Sequence, residues 1–264
     1  MSTPSREWNA DVYHQISGPQ VSWGKKVLAR VMLRGDEHVM DAGCGTGRLT
    51  RDLLEALPRG RVTAVDVSEN MLRNARQHLA PEFGERVRFV QADLQHLTFD
   101  HEFDGIFSTA AFHWIKDHDQ LFAGLLRGLK PGGWLIAQCG GGPNLARHLG
   151  RVRNLLSAEP YRAYFTDFQW PWEFADAETG ARRLRRAGFS DVETSVEEAP
   201  TQFSNAADFE KFVSSVILHR HLERIPKPEL RQQLLSEVCR QAAQDDPPFF
   251  LDYWRLNLKG RRPE

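Results

Sequence analysis

Cysteine, net charge and long apolar runs are all scarce in this chain of 264 residues. Three cysteines occur (Cys44, Cys139 and Cys239), and none forms a C-x-x-C pair. That excludes a disulfide framework and a paired-cysteine zinc site, and it suits a reducing compartment. Lysine and arginine number 34 against 35 acids, a formal net charge of −1. So balanced a chain has no global basic field with which to hold a nucleic-acid backbone. No apolar run approaches the roughly 20 residues that a membrane-spanning helix needs. The opening residues Met1-Ser-Thr-Pro-Ser-Arg-Glu-Trp8 lack the charged-then-apolar order of a signal peptide. The expectation is a cytoplasmic protein with neither a nucleic-acid nor a membrane partner; composition leaves the oligomeric state open. Internal repeats and low-complexity stretches are also lacking, and the length suits one domain with room for an insertion.

What the chain does contain is an alternation of strand and helix patterns. It predicts the α/β class, a parallel sheet with helices on both faces. Strands are expected at about 37–42, 61–66, 87–93, 103–108 and 134–139, with helices at about 46–57, 68–79 and 117–129. Ser68 reads as the cap of the second helix, with Glu69 in its first turn. The rhythm breaks at Gly140-Gly-Gly-Pro143, after which residues 144–175 read as helical, then aromatic. It returns with a helix at about 176–187 and a strand at about 189–198. Residues 204–244 read as one or two amphipathic helices, broken at Pro226 and Pro228. In the stretch 249–258, Trp254, Leu256 and Leu258 share one face, which predicts a last strand.

The chemistry is concentrated at two strand ends. Val39-Met-Asp-Ala-Gly-Cys-Gly-Thr-Gly47 is an apolar strand that ends in Asp41 and enters a glycine-rich turn. Arg61-Val-Thr-Ala-Val-Asp-Val67 follows one helix later and ends in Asp66. Gly43 and Gly45 let backbone approach a ligand closely, and an acid at the next strand tip can accept hydrogen bonds from ribose hydroxyls. The dinucleotide fingerprint is G-x-G-x-x-G, with a pyrophosphate on the helix N-terminus. Here Gly43, Gly45 and Gly47 follow a carboxylate, which repels a diphosphate and suits a cationic ligand. Asp41-Ala-Gly-Cys-Gly-Thr-Gly47 resembles motif I of the class I S-adenosylmethionine-dependent methyltransferases, and Asp66 stands where that family keeps its ribose-binding acid.

The resemblance implies a Rossmann-like, seven-stranded mixed sheet whose last strand is antiparallel, with a helical cap inserted before it. It implies S-adenosyl-L-methionine as cofactor and a small-molecule substrate. Asp93 would meet the adenine amino group, Leu94 the ring through its backbone, and Met71 the ring face; Ser108, ending the fourth strand, is expected to bind the cofactor beside them. Asp93-Leu94 also reads as a plain strand end, and Met71 as ordinary core. The chain has no Asn/Asp-Pro-Pro-Tyr/Phe after the fourth strand, the mark of methyltransferases acting on base amines. It has Phe112-His113-Trp114, which resembles the group containing trans-aconitate and juvenile hormone acid methyltransferases, both carboxylate O-methyltransferases. Ala10-Asp-Val-Tyr13, with Gln20 seven residues on, is similar to that group's N-terminal helix. The resemblance assigns Tyr13 to cofactor binding, and Gln20, His113 and Trp114 to the acceptor site. It makes residues 1–34 a cofactor lid and residues 144–175 and 204–244 the cap. A carboxylate acceptor needs no base, whereas a phenol or alcohol would require His113 to act as one. An amine or carbon acceptor, or binding without catalysis, stays open.

Several other clusters read more simply. His113 and Trp114 also read as a packed pair under the loop. His113, Asp117, His118 and Asp119 lack a metal-binding helix spacing, so a solvated helix start is expected. His219-Arg220-His221 reads as cap surface or substrate rim, with Arg220 and Arg224 at the pocket mouth. Arg182 to Arg186 reads as a solvated basic face. The aromatics between 161 and 172 serve either as a substrate wall or as the cap's own core.

Overall fold

The computed structural model describes residues 18–264. The chain runs α1 (Gly18–Leu28), β1 (His38–Ala42), α2 (Arg48–Ala56), β2 (Arg61–Asp66), α3 (Glu69–Phe83) and β3 (Val87–Gln91). It continues through β4 (Phe103–Thr109), α4 (His118–Gly128), β5 (Leu129–Gly140), α5 (Ala146–Leu156), α6 (Ala177–Ala187) and β6 (Ser190–Glu198). The remainder is β7 (Thr201–Gln202), α7 (Ala206–Phe212), α8 (His219–Arg224), α9 (Pro228–Ala242), β8 (Phe250–Leu251) and β9 (Trp254–Arg261). Short 3-10 turns occur at Leu94–His96 and Phe112–Trp114.

Seven strands form one sheet in the order β3-β2-β1-β4-β5-β9-β6. β1, β2, β3, β4 and β5 pair parallel, and β9 lies antiparallel on β5. The mixed sheet with its antiparallel last strand is thus present, and strand order reverses between β1 and β4. In open α/β sheets a ligand binds at the strand carboxyl ends beside such a reversal. Alternate residues of the central strands feed two cores. Val39, Val62, Ala64 and Phe107 meet Leu53, Leu54, Leu72 and Leu79 on one face. Met40, Ile106, Leu135 and Ala137 meet Leu121, Phe122, Leu125 and Leu184 on the other. Period-2 side-chain alternation is what lets one strand serve both layers.

Several boundaries move. β5 begins at Leu129, because Phe103 faces Leu129 and Gly105 faces Trp134: Lys130 to Gly133 are absorbed in a bulge rather than ending the helix. α3 runs through Pro81 to Phe83. The long final strand splits, with Phe250–Leu251 pairing β7 and Trp254–Arg261 entering the sheet.

Contacts divide the chain into two compact units. The first comprises the residues through Gly142, Trp172–Glu197 and Arg255–Glu264. The second comprises Pro143–Pro171 and Glu198–Trp254. The second has its own aromatic core. His221 is fully buried there, with Phe168 at 4.7 Å and Trp170 at 4.9 Å, ring centre to ring centre. It is therefore core rather than surface, and the aromatics around it pack that unit. Arg224 pairs with Asp167 and donates to the Tyr164 carbonyl, so it is engaged within the unit.

Candidate functional site

The loop after β1 is closed by backbone bonds. The amides of Gly43 and Cys44 donate to the Val65 carbonyl at 2.8 and 3.0 Å. The Gly45 amide donates to Asp66 Oδ2 at 2.9 Å, and Ser68 N–H to Asp66 Oδ1 at 3.0 Å. One carboxylate therefore ties the glycine loop to the start of α3, where Ser68 accepts from Met71 N–H. Gly43 has φ +83° and Gly45 φ +54°, the left-handed region that glycine enters without strain. A Cβ on Gly43 would stand 2.4 Å from Ala111 Cβ, so the turn at Phe112 can lie directly on the loop. A Cβ on Gly45 would meet nothing within 4 Å. That side of the loop is the floor of a cleft.

The cleft is partly open to solvent, with about 430 Å³ of empty space when that open part is counted. Gln20, Asp41, Gly43 and Gly45 line it, together with Cys44, Thr46, Arg48, Leu49, Thr109 and Ala110. α1 reaches it because Gly24 is bare: a Cβ there would stand 2.2 Å from a Leu49 methyl. Gln20 Oε1 is buried and unpartnered among the described residues, an acceptor that lacks its hydrogen bond. Asp41 is 2% exposed and accepts 2.6 Å from Thr50 Oγ1. Burial pushes its pKa up to about 7; the Thr50 bond opposes this, and the Asp66 charge adds to it. A carboxylate half-ionised near neutrality is one that an arriving cation would re-ionise. Burial, reinforced by Asp66 and Asp41, raises the Cys44 thiol well above its ordinary pKa, so it stays protonated and inert.

The other expected residues are placed as follows. Asp93 caps the 3-10 turn at Leu94 by accepting from Gln95 N–H at 2.9 Å, while Leu94 and Met71 are buried. Ser108 is 1% exposed, and its hydroxyl donates 2.6 Å to the Ala42 carbonyl, a tie between β4 and β1. Asp66, Met71, Asp93, Leu94, Ser108, His113 and Trp114 lie outside the lining of the cleft. Tyr13 lies outside the described residues. His113 is buried, and its Nδ1 accepts from Gly140 N–H at 3.2 Å. An amide can only donate, so the lone pair is on Nδ1 and the ring proton on Nε2, an assignment from bonding geometry. Trp114 lies 5.3 Å from the His113 ring and 5.6 Å from Trp172, and Phe174 lies 5.9 Å from His113. These four rings form one aromatic patch in the first unit.

A family model described as a methyltransferase domain matches residues 39–133. That span holds the loop, both acids and the first four strands. This stretch of the chain is similar to a methyltransferase domain. A trans-aconitate 2-methyltransferase of Deinococcus radiodurans is 36% identical over 141 residues, 53% of this chain and 52% of that protein. An uncharacterized methyltransferase of Schizosaccharomyces pombe is 26% identical, covering 97% of this chain and 98% of its own. Haemonchus contortus phosphoethanolamine N-methyltransferase 2, solved with S-adenosyl-L-methionine, superposes with a TM-score of 0.63 at 21% identity. That match covers 97% of this chain and 57% of the other and speaks for the fold. The chain spans about half the length of the trans-aconitate relatives it matches.

S-adenosylmethionine fits the donor set. A cationic amino acid end suits the wall that holds buried Asp41 and the orphaned Gln20 Oε1, and the open floor at Gly45 leaves room for it. Asp66 stands at the tip of β2, beside the same loop.

Sequence reasoning missed much of the lining. Thr46 and Arg48 were legible as the loop-to-helix junction that follows the glycines. Ala110 carried no signal: it holds φ +57° at the end of β4, donating to the Gln138 carbonyl. Two simple readings are also corrected. His118 is 5% exposed rather than solvated, and Arg183 in the basic run is engaged with it at 2.8 Å.

Proposed function

We propose that this methyltransferase transfers the methyl group of S-adenosylmethionine to a carboxylate of a small-molecule acid, forming a methyl ester. The observation that carries the reading is His113 Nδ1 accepting from Gly140 N–H. It leaves a ring that donates from Nε2 and has no lone pair for an acceptor's proton. A donor of this kind suits an acceptor that arrives already ionised. Relatives named for trans-aconitate, itself a carboxylate, support the same class.

When bound, S-adenosylmethionine supplies a methyl group on a positively charged sulfur, reactive enough that placement provides most of the rate. Asp41 and Asp66 bind and orient its charged and ribose ends; Met71, Asp93 and Leu94, beyond the lining of the cleft, meet the adenine, and Tyr13 is a further cofactor contact. Ser108 contributes by holding β4 to β1. His113 Nε2–H and Gln20 aim the acceptor carboxylate. Trp114, Trp172 and Phe174 exclude water, which strengthens attraction between unlike charges. The lid role of residues 1–34 and the cap role of residues 144–175 and 204–244 belong to the same proposal.

Methyl transfer from labelled S-adenosylmethionine to matched acids, phenols and amines tests it. Base-labile label on acids is the expected result. His113→Gln, which can donate but not take up a proton, should keep activity within about tenfold. A general base would lose about 10²–10⁴ on that change. Turnover on phenols or amines only, or collapse of His113→Gln, would reject the carboxylate reading.

A further inference from the structure

We propose that Arg183 is a positioning residue that holds the Phe112–Trp114 turn in place by gripping two successive backbone carbonyls through two intermediaries. One arm runs through His118. Arg183 Nη1–H donates to His118 Nδ1 at 2.8 Å, and His118 Nε2–H donates to the Phe112 carbonyl at 3.1 Å. The other arm runs through Glu173. Arg183 Nη2–H donates to Glu173 Oε1 at 2.8 Å, and the Glu173 amide donates to the His113 carbonyl at 2.8 Å.

The geometry uses what is particular to each residue. A guanidinium is a planar fork with several fixed donors, so it can serve an imidazole and a carboxylate at once; a lysine cannot. His118 is 5% exposed, and its two nitrogens have opposite duties, accepting from Arg183 and donating to Phe112. Burial first, and the Arg183 charge after it, lowers its pKa, which keeps the ring neutral as those duties require. Glu173 lies between Trp172 and Phe174, whose rings stand 5.9 Å apart at an interplanar angle of 10°. The second arm therefore also sets Phe174 beside His113. Opposite the clamp, Gly140 N–H fixes the His113 ring itself. Backbone and ring of His113 are held by different elements, so losing the clamp should leave the residue present but mis-aimed.

The inference rests on the proposed acceptor role of His113, and its test separates the two. Imidazole 15N spectra report the His113 tautomer without any substrate. Wild type should show one fixed Nε2–H tautomer, whereas Arg183→Met should show both tautomers in exchange. The dissociation constant for S-adenosylmethionine should stay within about twofold, while kcat falls about tenfold to a hundredfold, the scale of a small misplacement. Arg183→Lys should fall between. His118→Gln, which supplies both a donor and an acceptor, should recover most of the kcat that His118→Phe loses. Should Arg183→Met fail to fold, Glu173→Ala cuts one arm and is read in the same way. An unchanged His113 spectrum, or equal losses in His118→Gln and His118→Phe, would overturn the clamp. If wild type methylates no acid, the spectra still decide it, and only the acceptor reading falls.

Discussion

Asp41→Asn should stabilise the ligand-free protein at neutral pH while abolishing cofactor binding. Asp41 is buried at the cleft wall with its pKa raised from 3.8 to about 7. Between those values the folded state binds a proton that the unfolded state has lost. Wild-type stability therefore falls as pH rises through that window, at up to about 1.4 kcal/mol per pH unit, and levels off above it. Asparagine carries no such dependence and can still accept from Thr50. The stability of Asp41→Asn relative to wild type should grow by about 2–3 kcal/mol between pH 5 and pH 7. In a chain of this size that is about 4–5 °C in Tm. Every other titrating group is common to both proteins and cancels in the difference. Urea titrations at half-unit pH steps, with and without S-adenosylmethionine, measure it directly. The ligand should raise wild-type stability most above pH 7, where Asp41 is ionised, and should do little for the variant. A difference that stays flat from pH 5 to 7.5, or runs the other way, would refute the assignment of a buried, charge-penalised Asp41.

The loop glycines should separate folding from binding. Gly43→Ala meets the Ala111 methyl at 2.4 Å and should cost both stability and the placement of the 112–114 turn, seen as a lowered Tm and altered tryptophan fluorescence. Gly45→Ala meets no neighbour and should lose about 1–2 kcal/mol from left-handed strain. Its methyl occupies the floor of the cleft, so calorimetry should show the greater loss in cofactor affinity. Ser108→Ala removes the bond to the Ala42 carbonyl and leaves a buried acceptor unmet. It should destabilise by about 1–3 kcal/mol in denaturant melts while the dissociation constant for S-adenosylmethionine changes little. A large affinity loss with no stability loss would make Ser108 a direct ligand.

The alternation of strands and helices, the glycine turn after Asp41 and the acid ending β2 were readable because they are local. A period-2 run needs two cores, and a turn at φ +83° needs glycine, whatever the rest of the chain does. The same locality made Ser68 readable as a helix cap. Distance in sequence hid the remainder. Lys130 to Gly133 fell between the expected helix at 117–129 and the expected strand at 134–139, and only the pairing of Leu129 with Phe103 and Trp134 with Gly105 turned them into a bulge at the start of β5. Arg183 and His118 read as solvated charges because nothing nearby in the chain announces that they meet across 65 residues. His221 read as surface, until three aromatic rings folded around it. Gln20 and Leu49 share a wall because a glycine lets α1 lie close, and the proton on His113 is set by an amide 27 residues away. What the sequence determined by itself was the kind of pocket, since backbone conformation and charge are local properties. Which side chains face it, and in what protonation state, the tertiary structure decided, because burial and hydrogen-bond partners come from residues far apart in the chain.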